Sequence, residues 1–307
     1  MRIAIIGAGA MGSIYGGHLS LKNEVYLIDN NPAVCEAINK SGLIIDENNT
    51  TNIYKPVAKI NADDLQPVDL IILFVKALYS KSALESNKNI IGANTYLMTL
   101  QNGSGHEDIL KNFVGLNKII IGTTEDNGAV LYPGHVRHGG NGNTNIGMLV
   151  NDENNFMLEL KNNFDSCGFN TKIHDNIQQL IWNKLFTNIS LSVVTGVLKC
   201  KMGFIAQNNF AWNLAESLLF EAVNVAHALG IEADFEKLRE EIKTTSKNNP
   251  EGVTSICADL KAGRKTEVDT ISGSVVRAAN KLNIKVPCNE FIINLVHALE
   301  SENSNLK

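Results

Sequence analysis

The sequence predicts an α/β protein: a doubly wound, mainly parallel sheet over residues 1–175, followed by an all-helical domain over residues 176–307. Short runs of Ile, Val and Leu recur through the first half, with helix-compatible segments between them. A Gly-rich turn joins the first such run to the first helical segment. After about residue 176 the strand signals stop and long helical patterns take over.

Ile3–Ile6, Val25–Ile28, Leu70–Val75, Tyr96–Leu100 and Ile119–Ile121 are compact apolar runs, as expected of strands buried on both faces of a parallel sheet. Helix-compatible segments near 10–21, 32–40, 80–90 and 105–113 separate them, and this alternation suggests βαβ units. Between 128 and 149 the texture changes. Val130-Leu131-Tyr132, a Pro133-Gly134 turn, Val136-Arg137-His138, the stretch Gly139-Gly140-Asn141-Gly142-Asn143 and then Asn145–Leu149 predict hairpin-like strands that extend the sheet. Phe156–Phe164 reads as a helix and Asn170–Ile173 as a last strand. Helical patterns follow over about 177–199, 211–229, 234–246, 254–262, 268–282 and 288–301, which places a domain boundary near residue 175.

Composition narrows the classes of function. Of 307 residues, 44% are hydrophobic and 19% charged, too apolar for a disordered chain and long enough for two domains. The formal net charge of −5 argues against a partner held by polyanion electrostatics, so neither nucleic acid nor an anionic membrane is expected. All of that net charge falls in the first 175 residues. No apolar stretch reaches 18 residues, so no bilayer-spanning helix is expected. Gly7 arrives too soon after Met1 for a signal peptide, and the opening run reads as a strand. Cys35, Cys167, Cys200, Cys257 and Cys288 are far apart and contain no C-x-x-C pair, as suits reduced thiols in a cytoplasmic protein. The seven histidines show no metal-ligand spacing; no metal is expected, and His138 beside its Gly-rich turn reads as a surface residue.

Gly7-Ala8-Gly9-Ala10-Met11-Gly12 is a G-x-G-x-x-G placed between a buried strand and a helix. In that context Gly7 permits the tight turn, Gly9 lets the backbone approach a pyrophosphate, and Gly12 lets the helix pack closely on the strand. The helix N-terminus offers N–H groups and partial positive charge to the phosphates. Asp29 ends the second strand, where a carboxylate bonds the ribose hydroxyls of NAD and repels the 2′-phosphate of NADP. Its neighbours Asn30, Asn31 and Pro32 bring no Arg, so NAD(H) is favoured over NADP(H). The competing reading makes Asp29 an N-cap of the next helix.

Lys184, Asn188 and Ser192 stand at i, i+4 and i+8 and form one polar stripe on an otherwise apolar helix. On pattern alone that stripe reads equally as the solvated face of an amphipathic helix. A lysine enclosed in a cleft titrates nearer neutrality, because desolvation disfavours the ammonium. Such a lysine can protonate a carbonyl oxygen and stabilise the developing alkoxide. Glu267 reads as a helix-start carboxylate, unless it faces the same cleft and pairs with Lys184. Lys76 and Asn102 end buried strands at the carboxyl edge of the predicted sheet, where ligands of open α/β folds bind.

Together with later segments, the glycine loop resembles the ketopantoate reductase family over nearly the whole chain. The first half contributes Val75-Lys76-Ala77, Gln101-Asn102-Gly103, Gly122-Thr123-Thr124 and His138-Gly139-Gly140 with Ile146-Gly147. The second contributes Lys184-Leu185-Phe186-Thr187-Asn188 and the segment from Asp259 to Glu267, a D-x-x-A-G-x-x-T-E pattern far more specific than the glycine loop. The resemblance implies an N-terminal Rossmann-type domain, a C-terminal helical domain and an active site in the cleft between them. It also implies hydride transfer from a nicotinamide to the carbonyl of a branched 2-oxo acid, giving a D-2-hydroxy acid. By the same resemblance Lys184 is the general acid and Glu267 orients it. Asn188, Ser192, Ser255 and Asn102 are the expected substrate contacts. Gly7 to Gly12, Asp29, Asn30, Lys76 and Asn102 are expected to hold the cofactor.

Three positions depart from the family pattern. Asn30 stands where many members carry an Arg, and Ser192 and Gly252 stand where the family has Asn. Fewer amide donors suit a 2-oxo acid with an apolar branched or aromatic side chain. Three readings follow: a ketopantoate reductase, a broad-range NAD-dependent D-2-hydroxy-acid dehydrogenase outside pantothenate synthesis, or a non-catalytic dinucleotide-sensing protein on the same fold. The oligomeric state stays open, a homodimer among the alternatives.

Overall fold

The computed structural model describes residues 1–140, 142–152 and 154–305, so Asn141 of the Gly-rich stretch lies outside the described residues. The chain divides into two compact units, one of Met1–Gln101 with His106–Ile177 and one of Asn102–Gly105 with Gln178–Lys307. The strands are β1 (Arg2–Ile6), β2 (Glu24–Ile28), β3 (Leu43–Glu47), β4 (Thr50–Tyr54), β5 (Val57–Lys59), β6 (Leu70–Leu73), β7 (Tyr96–Thr99), β8 (Ile119–Thr124), β9 (Asn127–Tyr132), β10 (His135–Gly140), β11 (Asn143–Met148) and β12 (Asn170–Ile173). The helices of the first unit are α1 (Ala10–Leu19), α2 (Pro32–Ser41), α3 (Ser80–Ser86), α4 (Glu107–Leu110) and α5 (Phe156–Ser166).

Among the described residues, eight strands form the main sheet in the order β5-β2-β1-β6-β7-β8-β11-β12. From β5 to β8 every pairing is parallel; β11 runs antiparallel to β8, and β12 parallel to β11. β6, β7 and β8 are buried at every position, which is why their sequences show no polar alternation. Strand order reverses between β1 and β6. That reversal is the topological switch point, whose carboxyl-end crevice receives ligands in doubly wound sheets.

The strands expected at 130–138 do not extend this sheet. β9 and β10 form a hairpin that joins β3 and β4 in a second sheet, ordered β4-β3-β10-β9. The β3–β4 hairpin was not anticipated. It turns on Asn48 and Asn49, both at positive φ (49° and 61°), a two-residue turn for which Asn is well suited. The second sheet lies over α1, which is packed on both sides. A Cβ at Gly16 would fall 2.6 Å from Leu27 of β2, and one at Gly17 would fall 2.7 Å from Ile45 of β3. Helix α1 is therefore buried along most of its length, and no amphipathic stripe could have marked it.

The second unit is helical: α6 (Ile177–Thr187), α7 (Val193–Leu198), α8 (Met202–Gln207), α9 (Asn209–Ala228), α10 (Phe235–Asn248), α11 (Ser255–Lys261), α12 (Ser272–Leu282) and α13 (Pro287–Asn305). One helix was expected over 177–199; instead a π-helical turn at Asn188–Ser192 separates α6 from α7. α8 was not anticipated, and α12 begins at Ser272, not near 268. Trp182, Phe186, Trp212, Leu218, Val275 and Val296 belong to this unit's own core. Among the described residues no helix is long and apolar enough to cross a membrane.

Candidate active site

β1 ends at Ile6 and the chain turns through Gly7 at φ 104°, where a Cβ would stand 2.7 Å from Val75 N. A Cβ at Gly12 would fall 1.8 Å from the Gly7 carbonyl oxygen, so α1 rests directly on the turn. Gly9 differs: it is exposed, caps α1, and a Cβ there would meet nothing within 4 Å. Its missing side chain leaves open the space before the first turn of α1, where the amides of Ala10, Met11 and Gly12 begin the helix without intrahelical acceptors. Ala8 is buried, and its carbonyl accepts from Ser13 Oγ at 3.1 Å.

Asp29 follows β2 and its carboxylate bridges two backbone amides. Oδ2 accepts from Ala8 N–H at 2.8 Å and Oδ1 from Asn31 N–H at 2.9 Å. It is not the cap of α2; that cap is Asn31, whose side chain accepts from Ala33 N–H at 3.1 Å. Gly7, Asp29 and the exposed Asn30 border a cavity of about 470 Å³ with Ile28, Ile60 and Val75, and the lining contains neither Lys nor Arg. Lys76 is half-buried just beyond β6 and begins a short 3₁₀ turn. Gln101, quoted in the sequence motif but given no role there, is buried and ties the strand ends together. Its Nε2 donates to the Val75 carbonyl at 2.5 Å, and its Oε1 accepts from Thr99 Oγ1 at 2.8 Å.

In the second unit, Lys184 is half-buried on α6 and Asn188 half-buried at the start of the π-helical turn. Ser192, at its end, is only 3% exposed, and its hydroxyl has no hydrogen-bond partner among the described residues. π-helical turns inside α-helices are often found at functional sites. The Ser192 carbonyl accepts from Thr254 Oγ1 at 3.3 Å. Thr254 caps α11 by accepting from Cys257 N–H, and the exposed Ser255 is the first residue of that helix.

Glu267 accepts from Asn102 Nδ2 at 3.2 Å, so the geometry brings together two residues from opposite ends of the motif list. Glu267 is not at a helix start: its carbonyl receives Thr270 N–H and Ile271 N–H at 3.0 and 3.1 Å, ahead of α12. Its neighbour Thr266 is buried and donates both N–H and hydroxyl to Glu300 Oε1, each at 2.7 Å. Glu300 also receives Lys265 Nζ and lies beside His297. Burial alone would raise the Glu300 pKa, but these donors outweigh it and hold the carboxyl at about 2. Glu300 went unremarked in the sequence, because an acid on a C-terminal helix carries no signal of burial.

Residues 3–151 match the family model described as ketopantoate reductase PanE/ApbA, and residues 176–300 match ketopantoate reductase PanE/ApbA C terminal. The chain belongs to the ketopantoate reductase family. It is 34% identical over 307 residues to a 2-dehydropantoate 2-reductase of Pyrococcus horikoshii, and 29% identical over 303 residues to one of Streptococcus pyogenes, with 98% of each chain covered in both cases. Among solved structures it is similar to D-mandelate dehydrogenase with NADH and anilino(oxo)acetate, with a TM-score of 0.90 at 30% identity over 99% of each chain. A PanE/ApbA family ketopantoate reductase from Ralstonia eutropha also has a TM-score of 0.90, at 26% identity, covering 99% of this chain and 100% of the other.

Within the ketopantoate reductase family, the glycine loop here fits a dinucleotide: open space at Gly9 faces a helix start with no side-chain cap, and Asp29 is fixed beside it. At the position where the family pattern has a further Asn, Gly252 is closely surrounded. A Cβ there would stand 2.8 Å from Met202 Sδ and 3.1 Å from the Asn249 carbonyl oxygen.

Proposed function

We propose that the protein reduces a branched 2-oxo acid to the D-2-hydroxy acid with NADH, as a reductase of the ketopantoate reductase type. The observation that carries the cofactor choice is the Asp29 carboxylate, bonded to Ala8 N–H in the glycine loop and bordering a cavity without a basic residue. A 2′-phosphate would meet negative charge there with no counter-charge. When bound, the dinucleotide supplies the hydride. Gly7, Ala8, Gly9, Ala10, Met11 and Gly12 receive its phosphates, Asp29 and Asn30 its ribose end, and Lys76 and Asn102 its nicotinamide end. Lys184 Nζ gives the proton to the substrate oxygen, and its charge stabilises the alkoxide as it forms. Glu267, held by Asn102, orients the ammonium. Asn102, Asn188, Ser192 and Ser255 bind the substrate.

A second reading is favoured by the orphan Ser192 hydroxyl and by the crowded Gly252. These positions offer a hydroxylated substrate fewer amide partners, which points to a broader-range D-2-hydroxy-acid dehydrogenase acting on apolar or aromatic 2-oxo acids. The test is kcat/KM for ketopantoate, 2-oxoisovalerate and phenylglyoxylate, each with NADH and NADPH. Ketopantoate with NADH is expected to be best; a preference for phenylglyoxylate selects the second reading. Higher efficiency with NADPH overturns the cofactor assignment. No turnover of any 2-oxo acid with cofactor binding intact leaves a dinucleotide sensor.

A further inference from the structure

The far end of α1 carries a cluster that the proposed reaction does not use. His18 lies in the last turn of α1, Glu47 ends β3, His138 is on β10, and Asp126 lies between β8 and β9. Glu47 Oε2 stands 2.8 Å from His18 Nε2 and 3.2 Å from His138 Nδ1. Those three atoms lie within 4.8 Å of one another. The expectation that His138 sits on the surface is corrected: its side chain is 5% exposed, Glu47 6%, Asp126 3% and His18 17%.

The far side of each group is already committed. His18 Nδ1 lies 3.3 Å from the Cys167 carbonyl oxygen. That oxygen can only accept, so Nδ1 carries a hydrogen; Nε2 faces the Glu47 carboxylate and presents a lone pair to an ion only by releasing its own proton to solvent. His138 Nε2 lies 3.1 Å from Asp126 Oδ1 and carries a hydrogen by the same argument; its Nδ1, 3.2 Å from Glu47 Oε2, likewise becomes a ligand lone pair only by losing its proton. Asp126 is itself fixed, accepting from Gly142 N–H at 2.9 Å and from Thr124 Oγ1 at 3.2 Å. Glu47 Oε1 accepts from Tyr54 OH at 2.6 Å and Asn52 Nδ2 at 3.0 Å, and Oε2 faces the imidazoles. Three potential ligand atoms thus converge on one point, each aimed by a second hydrogen bond behind it. Carboxylate and carbonyl partners behind histidines orient them in this way at metal centres.

We propose that His18, Glu47 and His138 bind a divalent transition-metal ion of the zinc class, with Asp126 and the Cys167 carbonyl fixing the two imidazoles. Two imidazoles and one carboxylate are a zinc ligand set with a fourth position left over. A tetrahedral ion with bonds of about 2.0–2.1 Å needs ligand atoms roughly 3.3 Å apart. The 2.8 and 3.2 Å separations therefore need to open by roughly 0.5 and 0.1 Å, and the two nitrogens, at most 4.8 Å apart, to settle at the same spacing. All three ligands line a cavity of about 360 Å³, with room for water or a small anion in the fourth position. Glu47 and Asp126 together balance a doubly charged ion once the two imidazoles have released to solvent the protons they direct at Glu47 and are neutral. The ion ties α1 to the second sheet. His18 lies about 14 Å along the helix from Gly9, at 1.5 Å per residue, away from the glycine loop.

The test uses untagged, chelator-treated protein and reads no turnover. One equivalent of Zn²⁺ is expected to bind with micromolar or tighter affinity by calorimetry and to raise Tm, with no such rise from Mg²⁺. Co²⁺ is expected to give the intense visible bands of a four- or five-coordinate site. His18→Gln should weaken Zn²⁺ binding at least a hundredfold, and Asp126→Asn, which reaches the ligand set only through the far nitrogen of His138, about 10- to 100-fold. Wild-type protein without saturable one-to-one binding, or with a weak octahedral cobalt spectrum, overturns the proposal even if a variant fails to fold. So does an equal rise in Tm from Mg²⁺, or unchanged affinity in folded His18→Gln.

Discussion

Asn102 Nδ2 donates to Glu267 Oε2 at 3.2 Å, joining residues 165 positions apart. The segment carrying Asn102 approaches the segment carrying Glu267 because residue 103 has no side chain: a Cβ on Gly103 would fall 1.9 Å from the Thr270 carbonyl oxygen. Ser104 N–H donates to that same oxygen at 3.2 Å. A hydrogen bond to a charged group contributes about 1.5–3 kcal/mol. Asn102→Ala is therefore expected to lower kcat/KM for the 2-oxo acid by about ten- to a hundredfold, with only a small change in Tm. Steady-state kinetics beside a thermal melt check it; unchanged kcat/KM would show that Glu267 keeps its orientation without Asn102.

Lys184 is the proposed proton donor, so its removal should act on kcat. Lys184→Ala is expected to lower kcat by about 10²–10⁴ and to leave the NADH dissociation constant nearly unchanged by fluorescence titration. Lys184→Arg keeps a positive charge but cannot release a proton near neutral pH. It should recover little of the loss, which separates proton donation from charge stabilisation. Near wild-type turnover in Lys184→Ala removes Lys184 from the mechanism; near wild-type turnover in Lys184→Arg alone leaves it charge stabilisation without proton donation.

Asp29 does two things at once. Its carboxylate holds Ala8 N–H and Asn31 N–H, so replacing it would loosen the glycine loop as well as alter cofactor choice. The cleaner probe is the exposed neighbour. Asn30→Arg places a cation beside the cavity and leaves both Asp29 bonds in place. It is expected to raise the ratio of NADPH to NADH efficiency at least about tenfold. No change in that ratio would show that Asn30 does not face the 2′ position.

How far these features could be read in the sequence depends on the range of the interactions that fix them. The buried runs of β1, β6, β7 and β8 announce themselves, because strands covered on both faces need apolar residues throughout. The Gly7–Gly12 turn is partly local: Gly12 meets the Gly7 carbonyl within six residues, while the space at Gly7 is closed by the distant Val75 and Phe74. The β3–β4 hairpin was missed although Leu43, Ile45 and Glu47 alternate with half-buried neighbours and Asn48-Asn49 mark its turn. An acid in a buried position of β3 hid that alternation. The π-helical turn at 188–192 leaves the apolar pattern almost intact, so α-helical periodicity read straight through it. His18, Glu47 and His138 have no metal spacing in sequence because each comes from a different element, brought together by the packing of α1 beneath the second sheet.

The buried Glu300 carboxylate fixes Thr266, and through it the backbone leading to Glu267. Thr266 gives it both donors at 2.7 Å, and its carboxyl titrates at about 2 against an ordinary value of 4.5. A folded-state pKa below the unfolded one stabilises the native state above the unfolded value and loses that contribution as pH falls toward the folded value. The contribution should therefore be complete above about pH 4.5 and disappear progressively between about pH 4.5 and pH 2. Glu300→Gln removes the charge, keeps an acceptor for Thr266 and does not titrate. In urea melts at a series of pH values, wild type should exceed the variant by about 1–3 kcal/mol near neutrality, with the gap closing as pH drops below 4.5. A gap independent of pH would show that Glu300 is held by packing alone, its charge contributing nothing to the Thr266–Glu267 segment.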